Sequence, residues 1–252
     1  MILLLIFING FPASVNVDSL TASLYIETGM AYLEQGLADR AFREFEKALE
    51  TSSDAAEAHL GIARVSVLNQ AWGDAENSYT TYMELRPDDY SAPLEMAEMT
   101  LALRGRELEA AEYADAALSL APLNGRCWIA VADCQAALGN TEEAMTWYTR
   151  TIIESPEFAG DARIKMGTLL FENGDLVQAA EILTPAGHQG EPDAWHILAL
   201  IYMEQKDALR ASDSIRNYLY MNPDGPWADS AQVLLEELNF HAGTGSPGNR
   251  HD

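Results

Sequence analysis

Small residues recur along this chain at a fixed phase, and that constrains the fold more than any other feature. Ala41, Ala75, Ala110, Ala144, Ala179 and Ala211 follow one another at spacings of 34, 35, 34, 35 and 32 residues. About twelve residues upstream of each stands a second series, Gly29, Ala63, Ala97, Ala132, Gly167 and Ala199. A small side chain at fixed phase marks a place where two helices come close, because a larger one would push the backbones apart. A period near 34 with two helices per unit is the signature of a helical solenoid.

Within one period, residues 56 to 89, two amphipathic stretches of roughly 57–69 and 73–85 flank a short turn, and Pro87 ends the unit. Proline lacks the N–H that would continue the helix and clashes with the preceding turn. Pro122, Pro156 and Pro223 hold the same phase, and Ser53 and Glu191 replace it in two units. Gly36, Gly105, Gly139 and Gly174 stand at the expected stop of the first helix, where glycine relieves the strain of a left-handed cap.

These residues resemble the tetratricopeptide repeat family over roughly residues 22 to 225. In the first unit the family pattern falls on Tyr25, Gly29, Tyr32, Ala41, Phe45 and Ala48. In the fourth it falls on Trp128, Ala132, Ala144, Tyr148 and Pro156, and in the sixth on Trp195, Ala199, Tyr202, Ala211 and Pro223. The third unit departs with Pro93 and Ala114. The fifth departs most: Pro185, Gly187 and Gly190 interrupt its second helix, so 184–193 reads as a loop. The resemblance implies an all-α, right-handed solenoid of about six antiparallel helix pairs. The solenoid domain is expected over 18–240, closed by a capping helix at 226–240 that buries Trp227, Ala231, Leu234 and Leu238, with Asp229, Gln232, Glu236 and Asn239 elsewhere around it. Residues 241–252 lack apolar periodicity and read as a disordered tail.

With 39 acids against 15 bases the formal charge is −24, and only Lys47, Lys165 and Lys206 are lysines. Nucleic-acid affinity rests on neutralising phosphates, so such a surface disfavours DNA, RNA and anionic lipid. Acids on second helices, such as Glu44, Glu112, Glu142 and Glu143, read as a solvated face; a basic partner and adaptation to high salt remain the other readings. Cys127 and Cys134, seven apart on one helix, lie roughly 10 Å apart. A disulfide spans at most about 7 Å between Cα atoms, so both read as packing residues.

The N-terminal segment, 1–17, carries seven apolar residues from Ile2 to Ile8, broken by Asn9, Gly10 and Pro12. A bilayer span needs about 20 such residues. The run matches the short end of a signal-peptide hydrophobic region, without a basic start or a clean cleavage site. Export to the periplasm or cell envelope is the favoured expectation. A strand or helix turn packed on the first repeat, in a cytoplasmic protein, is the alternative.

The chain contains no HExxH, GxSxG, P-loop or GxGxxG sequence, and no enzyme, cofactor or metal is expected. His188, Glu191 and His196 are the one group of ligand types, at the irregular segment, and read as polar surface. The resemblance points instead to the first helices, whose fifth, ninth and twelfth repeat positions would line a concave groove. The fifth positions are Ile26, Leu60, Leu94, Ile129, Ile164 and His196. The ninth are Met30, Arg64, Glu98, Asp133, Thr168 and Leu200, and the twelfth are Leu33, Val67, Leu101, Ala136, Phe171 and Met203. That is an apolar stripe with a polar border, suited to an extended peptide or a helix. No lysine or asparagine stands at the fifth or ninth positions, so the family's chaperone-carboxylate clamp is not expected. Leu94 is expected on a partly solvated face, where a charge would disrupt ligand burial and spare the fold. The function expected is a non-enzymatic adaptor for a neutral or basic protein segment. Self-association into an envelope complex is the second reading, and a small-ligand site at 184–193 the third.

Overall fold

In the computed structural model, which describes residues 17–244, every regular element is helical. The helices are α1 (Val17–Glu34), α2 (Ala38–Thr51), α3 (Ala56–Leu68), α4 (Trp72–Leu85), α5 (Ser91–Leu101), α6 (Glu107–Leu120) and α7 (Gly125–Ala137). They continue as α8 (Thr141–Glu154), α9 (Ala159–Glu172), α10 (Leu176–His188), α11 (Pro192–Glu204), α12 (Ala208–Met221) and α13 (Ala228–Thr244). A 3-10 turn, Pro156–Phe158, leads into α9. The apolar N-terminal run lies outside the described residues.

The chain divides between Ala102 and Leu103 into two compact units, the first carrying α1 to α5 and the second α6 to α13. Each is a stack of helix pairs in which α1 packs on α2 and α3 on α4 in the first unit, and α7 on α8, α9 on α10 and α11 on α12 in the second. Gly29 faces Phe45 across the first of these contacts, and Gly167 faces Leu183 between α9 and α10. All six alanines from Ala41 to Ala211 are fully buried, as are Ala63, Ala132 and Ala199.

The turn inside a helix pair is built one way at five places. After α1, Leu37 N donates to Tyr32 O at 2.8 Å and Gly36 N to Leu33 O at 2.9 Å. The same pair of bonds recurs at Gln70 and Ala71, Gly139 and Asn140, Gly174 and Asp175, and Lys206 and Asp207. This is a Schellman closure, and it requires a left-handed residue before the second helix. Glycine supplies it three times; Gln70 (φ 57°) and Lys206 (φ 59°) adopt it as strained L-residues. The third pair differs because Ala97 and Ala110 are 13 residues apart, one more than in the other pairs. Its longer connection contains Gly105 at φ 86°, and the boundary between the two units falls there.

Two readings are corrected. Residues 184–188 are not loop: α10 runs through Pro185 to His188. Pro185 is exposed, and so is Glu181, the residue whose carbonyl Pro185 has no N–H to serve. Buried Leu183 and Ala186 on the opposite side hold the helix against the core. The true connection is 189–191, closed by Glu191 N donating to Ala186 O at 3.1 Å. At the other end, α13 continues to Thr244 instead of stopping at 240, because no proline occurs in that stretch to break it. Ala231 is buried beneath it, Leu234 and Leu238 are half-buried, and Asp229, Gln232, Glu236 and Asn239 face water.

Candidate functional site

In the first unit the groove positions lie on α1, α3 and α5, and they separate by depth. Leu60 and Leu94 are core residues, Leu94 only 1% exposed. Ile26, Met30, Leu33, Arg64, Val67 and Leu101 are half-buried, and Glu98 is exposed. The expectation that Leu94 lies on a solvated face is therefore wrong: α5 is apolar around most of its circumference, and its fifth position turns inward. A charge there would tear the core and say nothing about a ligand.

Arg64 is held by a neighbour that periodicity did not single out. Its guanidinium grips Glu95 with Nε–Oε2 at 2.9 Å and Nη2–Oε1 at 2.7 Å, and Nη1 lies 3.8 Å from Met30 Sδ. Beneath it, Tyr79 of α4 donates its hydroxyl to Glu95 Oε2 at 3.1 Å. Burial first, then the Glu95 charge, pushes the Tyr79 phenol well above its usual range, so it stays a donor. A fork-shaped ion pair thus ties α3 to α5 across one face, with Met30 of α1 against the guanidinium.

The second unit repeats this register with the charges exchanged. Asp133 on α7 takes the place of Arg64. Its Oδ2 accepts from Lys165 Nζ of α9 at 2.9 Å, and its Oδ1 from the Tyr148 hydroxyl of α8 at 2.5 Å. Around this pair opens a depression of about 270 Å³ lined by Asp133, Ala136, Tyr148, Lys165, Thr168, Leu169 and Glu172. Ile129 belongs to the core, while Ile164, Thr168, Phe171, Leu200 and Met203 are half-buried. His196 is drawn away from this set: its ring stacks on Trp227 at 4.1 Å beside Tyr218. Burial holds it below the usual histidine range, partly offset by Asp193.

His188 meets the edge of Trp195 at 5.0 Å, and the Trp195 indole donates to Gly187 O at 3.0 Å. The two histidines therefore serve separate aromatic contacts. Among the described residues no three His, Cys, Asp or Glu side chains converge as metal ligands. Cys127 and Cys134 are buried and form no disulfide, and burial raises the Cys134 thiol to about 12, which keeps it protonated.

Tetratricopeptide repeat models match residues 26–90 and 100–162, and another matches 192–224. The chain belongs to the tetratricopeptide repeat family. The unmatched stretch 163–191 contains α10 with its internal proline. One relative, Cellulose synthase 2 operon protein C of Komagataeibacter xylinus, is 27% identical over 237 residues. The match takes in 86% of this chain and 18% of the relative's own length. Among solved structures, the type IV pilus biogenesis factor PilW superposes with a TM-score of 0.72 at 17% identity, over 84% of this chain and 98% of PilW. Pseudomonas aeruginosa pilF gives 0.67 at 17% identity, over 86% of this chain and 99% of its own. At these identities the likeness establishes the fold. A tetratricopeptide repeat chain of this kind is a scaffold for protein interaction, with a protein or peptide as partner. No helix among the described residues is long and apolar enough to cross a membrane.

Proposed function

We propose that this chain is a non-enzymatic adaptor that binds a protein segment, extended or helical, along the faces of its first helices. The observation that carries the proposal is the depression around Asp133 and Lys165. It lies at the ninth and twelfth repeat positions, where the family resemblance places ligand contacts, and its wall combines apolar Ala136 and Leu169 with charged groups. Half-buried Met30 and Val67 in the first unit, and Phe171, Leu200 and Met203 in the second, supply further apolar surface. Thr168→Arg would obstruct the depression while sparing the core, since Thr168 is half-buried. In affinity capture from native extract, the wild-type chain and the second-helix variant Glu143→Arg should retain a partner that Thr168→Arg loses. Equal capture by all three would overturn the proposal.

The apolar run Ile2–Ile8 supports action outside the cytoplasm, and the likeness to PilW, a type IV pilus biogenesis factor, is consistent with it. Fractionation of cells expressing the full chain tests this; recovery only in the cytoplasm would contradict it. One observation favours self-association as a second reading. Val17, Leu20 and Leu24 are 70%, 60% and 60% exposed along one side of α1. The Thr21 and Thr28 hydroxyls bond back to the carbonyls of Val17 and Leu24, which leaves that side less polar still. Mass measured across a concentration series separates this reading from the first.

A further inference from the structure

Resting on the adaptor reading, we propose that the depression between α7 and α9 receives a long cationic side chain, lysine or arginine, of the bound segment. Its walls have the two properties such a side chain needs. Ala136 and Leu169 form an apolar flank for an aliphatic stem, and Thr168 joins them through its methyl because its hydroxyl donates to Ile164 O at 2.8 Å. Asp133 and Glu172 supply carboxylates for the charged head. The structure already shows Asp133 taking an ammonium, that of Lys165, and a carboxylate can accept further donors beyond one on each oxygen.

The charge around the depression is not balanced. Asp133 and Glu172 face one lining base, Lys165; beside them Asp161 adds a third carboxylate and Arg126, which acts on it, a second base. Burial leaves the Asp161 carboxyl above its usual range against the pull of Lys165, with the Asp133 charge adding to the rise and Arg126 opposing it. The same Asp133 charge helps to raise Tyr148 and Cys134, after burial. A half-buried site with excess negative charge favours a cation. Size points the same way. About 270 Å³ has room for one such side chain. The corresponding place in the first unit is different in kind: Arg64 stands where Asp133 does, with its fork filled by Glu95. Exchange of the charges between the two registers therefore confines the cation preference to the second unit.

The test is selection of a random-peptide display library on the purified full chain, followed by affinity measurements on selected peptides and their single-lysine and single-arginine replacements. The proposal expects selected peptides to carry a basic residue whose replacement by glutamine weakens binding about tenfold. Asp133→Asn should weaken the basic peptides about tenfold and erase that difference. Lys165→Met, which removes the competing ammonium, should tighten them by about threefold or more. A purely structural ion pair would make both variants bind worse. Peptides that bind, are lost with Thr168→Arg, and show no basic preference would overturn the cation site and leave the adaptor face standing. Failure to select any peptide that Thr168→Arg affects would overturn both.

Discussion

Phe45 gives the sharpest quantitative test of how the first unit is packed. Its ring is fully buried between α1 and α3, where Gly29 and Gly61 allow the helices to close on it. A Cβ added at Gly61 would fall against Phe45 Cζ, 2.5 Å from Cε1 and 2.6 Å from Cε2. Carbon atoms prefer about 3.5–4.0 Å, so the ring would have to retreat by roughly 1 Å. It has little room to do so, since a Cβ on Gly29 would already lie 2.6 Å from the same Cε1. Overpacking of this kind costs about 1–3 kcal/mol, and the upper half of that range fits an overlap with three ring atoms. Alanine in place of a mid-helix glycine returns about 1 kcal/mol of helix propensity. Gly61→Ala should therefore destabilise by about 1–2 kcal/mol. Leucine lacks Cζ and both Cε atoms. In a Phe45→Leu background the clash disappears, and Gly61→Ala should become stabilising by up to about 1 kcal/mol. Urea titration of the four proteins, with unchanged m-values, measures this. An equal cost of Gly61→Ala in both backgrounds would refute the argument, because the penalty would then have nothing to do with the ring.

Three further outcomes follow from local features. Among the described residues the Thr100 hydroxyl is the one buried side-chain polar atom without a hydrogen-bond partner, and Thr100→Val should raise stability by about 1 kcal/mol in urea titration. Gln70 holds a left-handed conformation that glycine adopts without strain, so Gln70→Gly should add about 0.5–1 kcal/mol, read from the thermal midpoint. His196 is kept below its usual range by burial, so the unfolded chain binds more protons and stability falls as the pH drops from 7 through 6.5 and on through the lowered folded value. His196→Phe, which keeps the stack on Trp227, should flatten part of the slope of the unfolding midpoint between pH 7.5 and 5. His59, which burial also holds low, adds to the slope in the same direction; an unchanged slope would refute the assignment.

The repeat was legible because its signal is a distance constraint: a helix contact that admits only alanine or glycine leaves a mark at Ala41, Ala75 and their successors whatever the surface carries. The ion pairs were not, because they join residues on neighbouring repeats. Arg64 and Glu95 are 31 apart and Asp133 and Lys165 are 32 apart, so a search for opposite charges about three residues short of the period would have found both. Leu94 was misjudged because a family position says which helix face a residue takes, whereas depth depends on what packs over it. Pro185 was misjudged for a related reason. An internal proline removes one helical bond and crowds the carbonyl four residues back, and α10 bears that cost in its last turn, with Pro185 and Glu181 both exposed. The polarity reversal between Arg64 and Asp133 was visible in the sequence as a pair of letters. Its meaning came from the tyrosines below them, Tyr79 and Tyr148, which fix a carboxylate in each register.

The most direct test of the adaptor reading is site-specific photocrosslinking in native extract, with the reactive group placed in turn at Thr168, Met203 and Val67 on first helices and at Glu143 and Glu112 on second helices. The account predicts one shared protein partner crosslinked from the first-helix positions and absent from the second-helix ones. Crosslinks confined to Glu143 and Glu112 would contradict it and move the binding surface to the opposite face of the repeats.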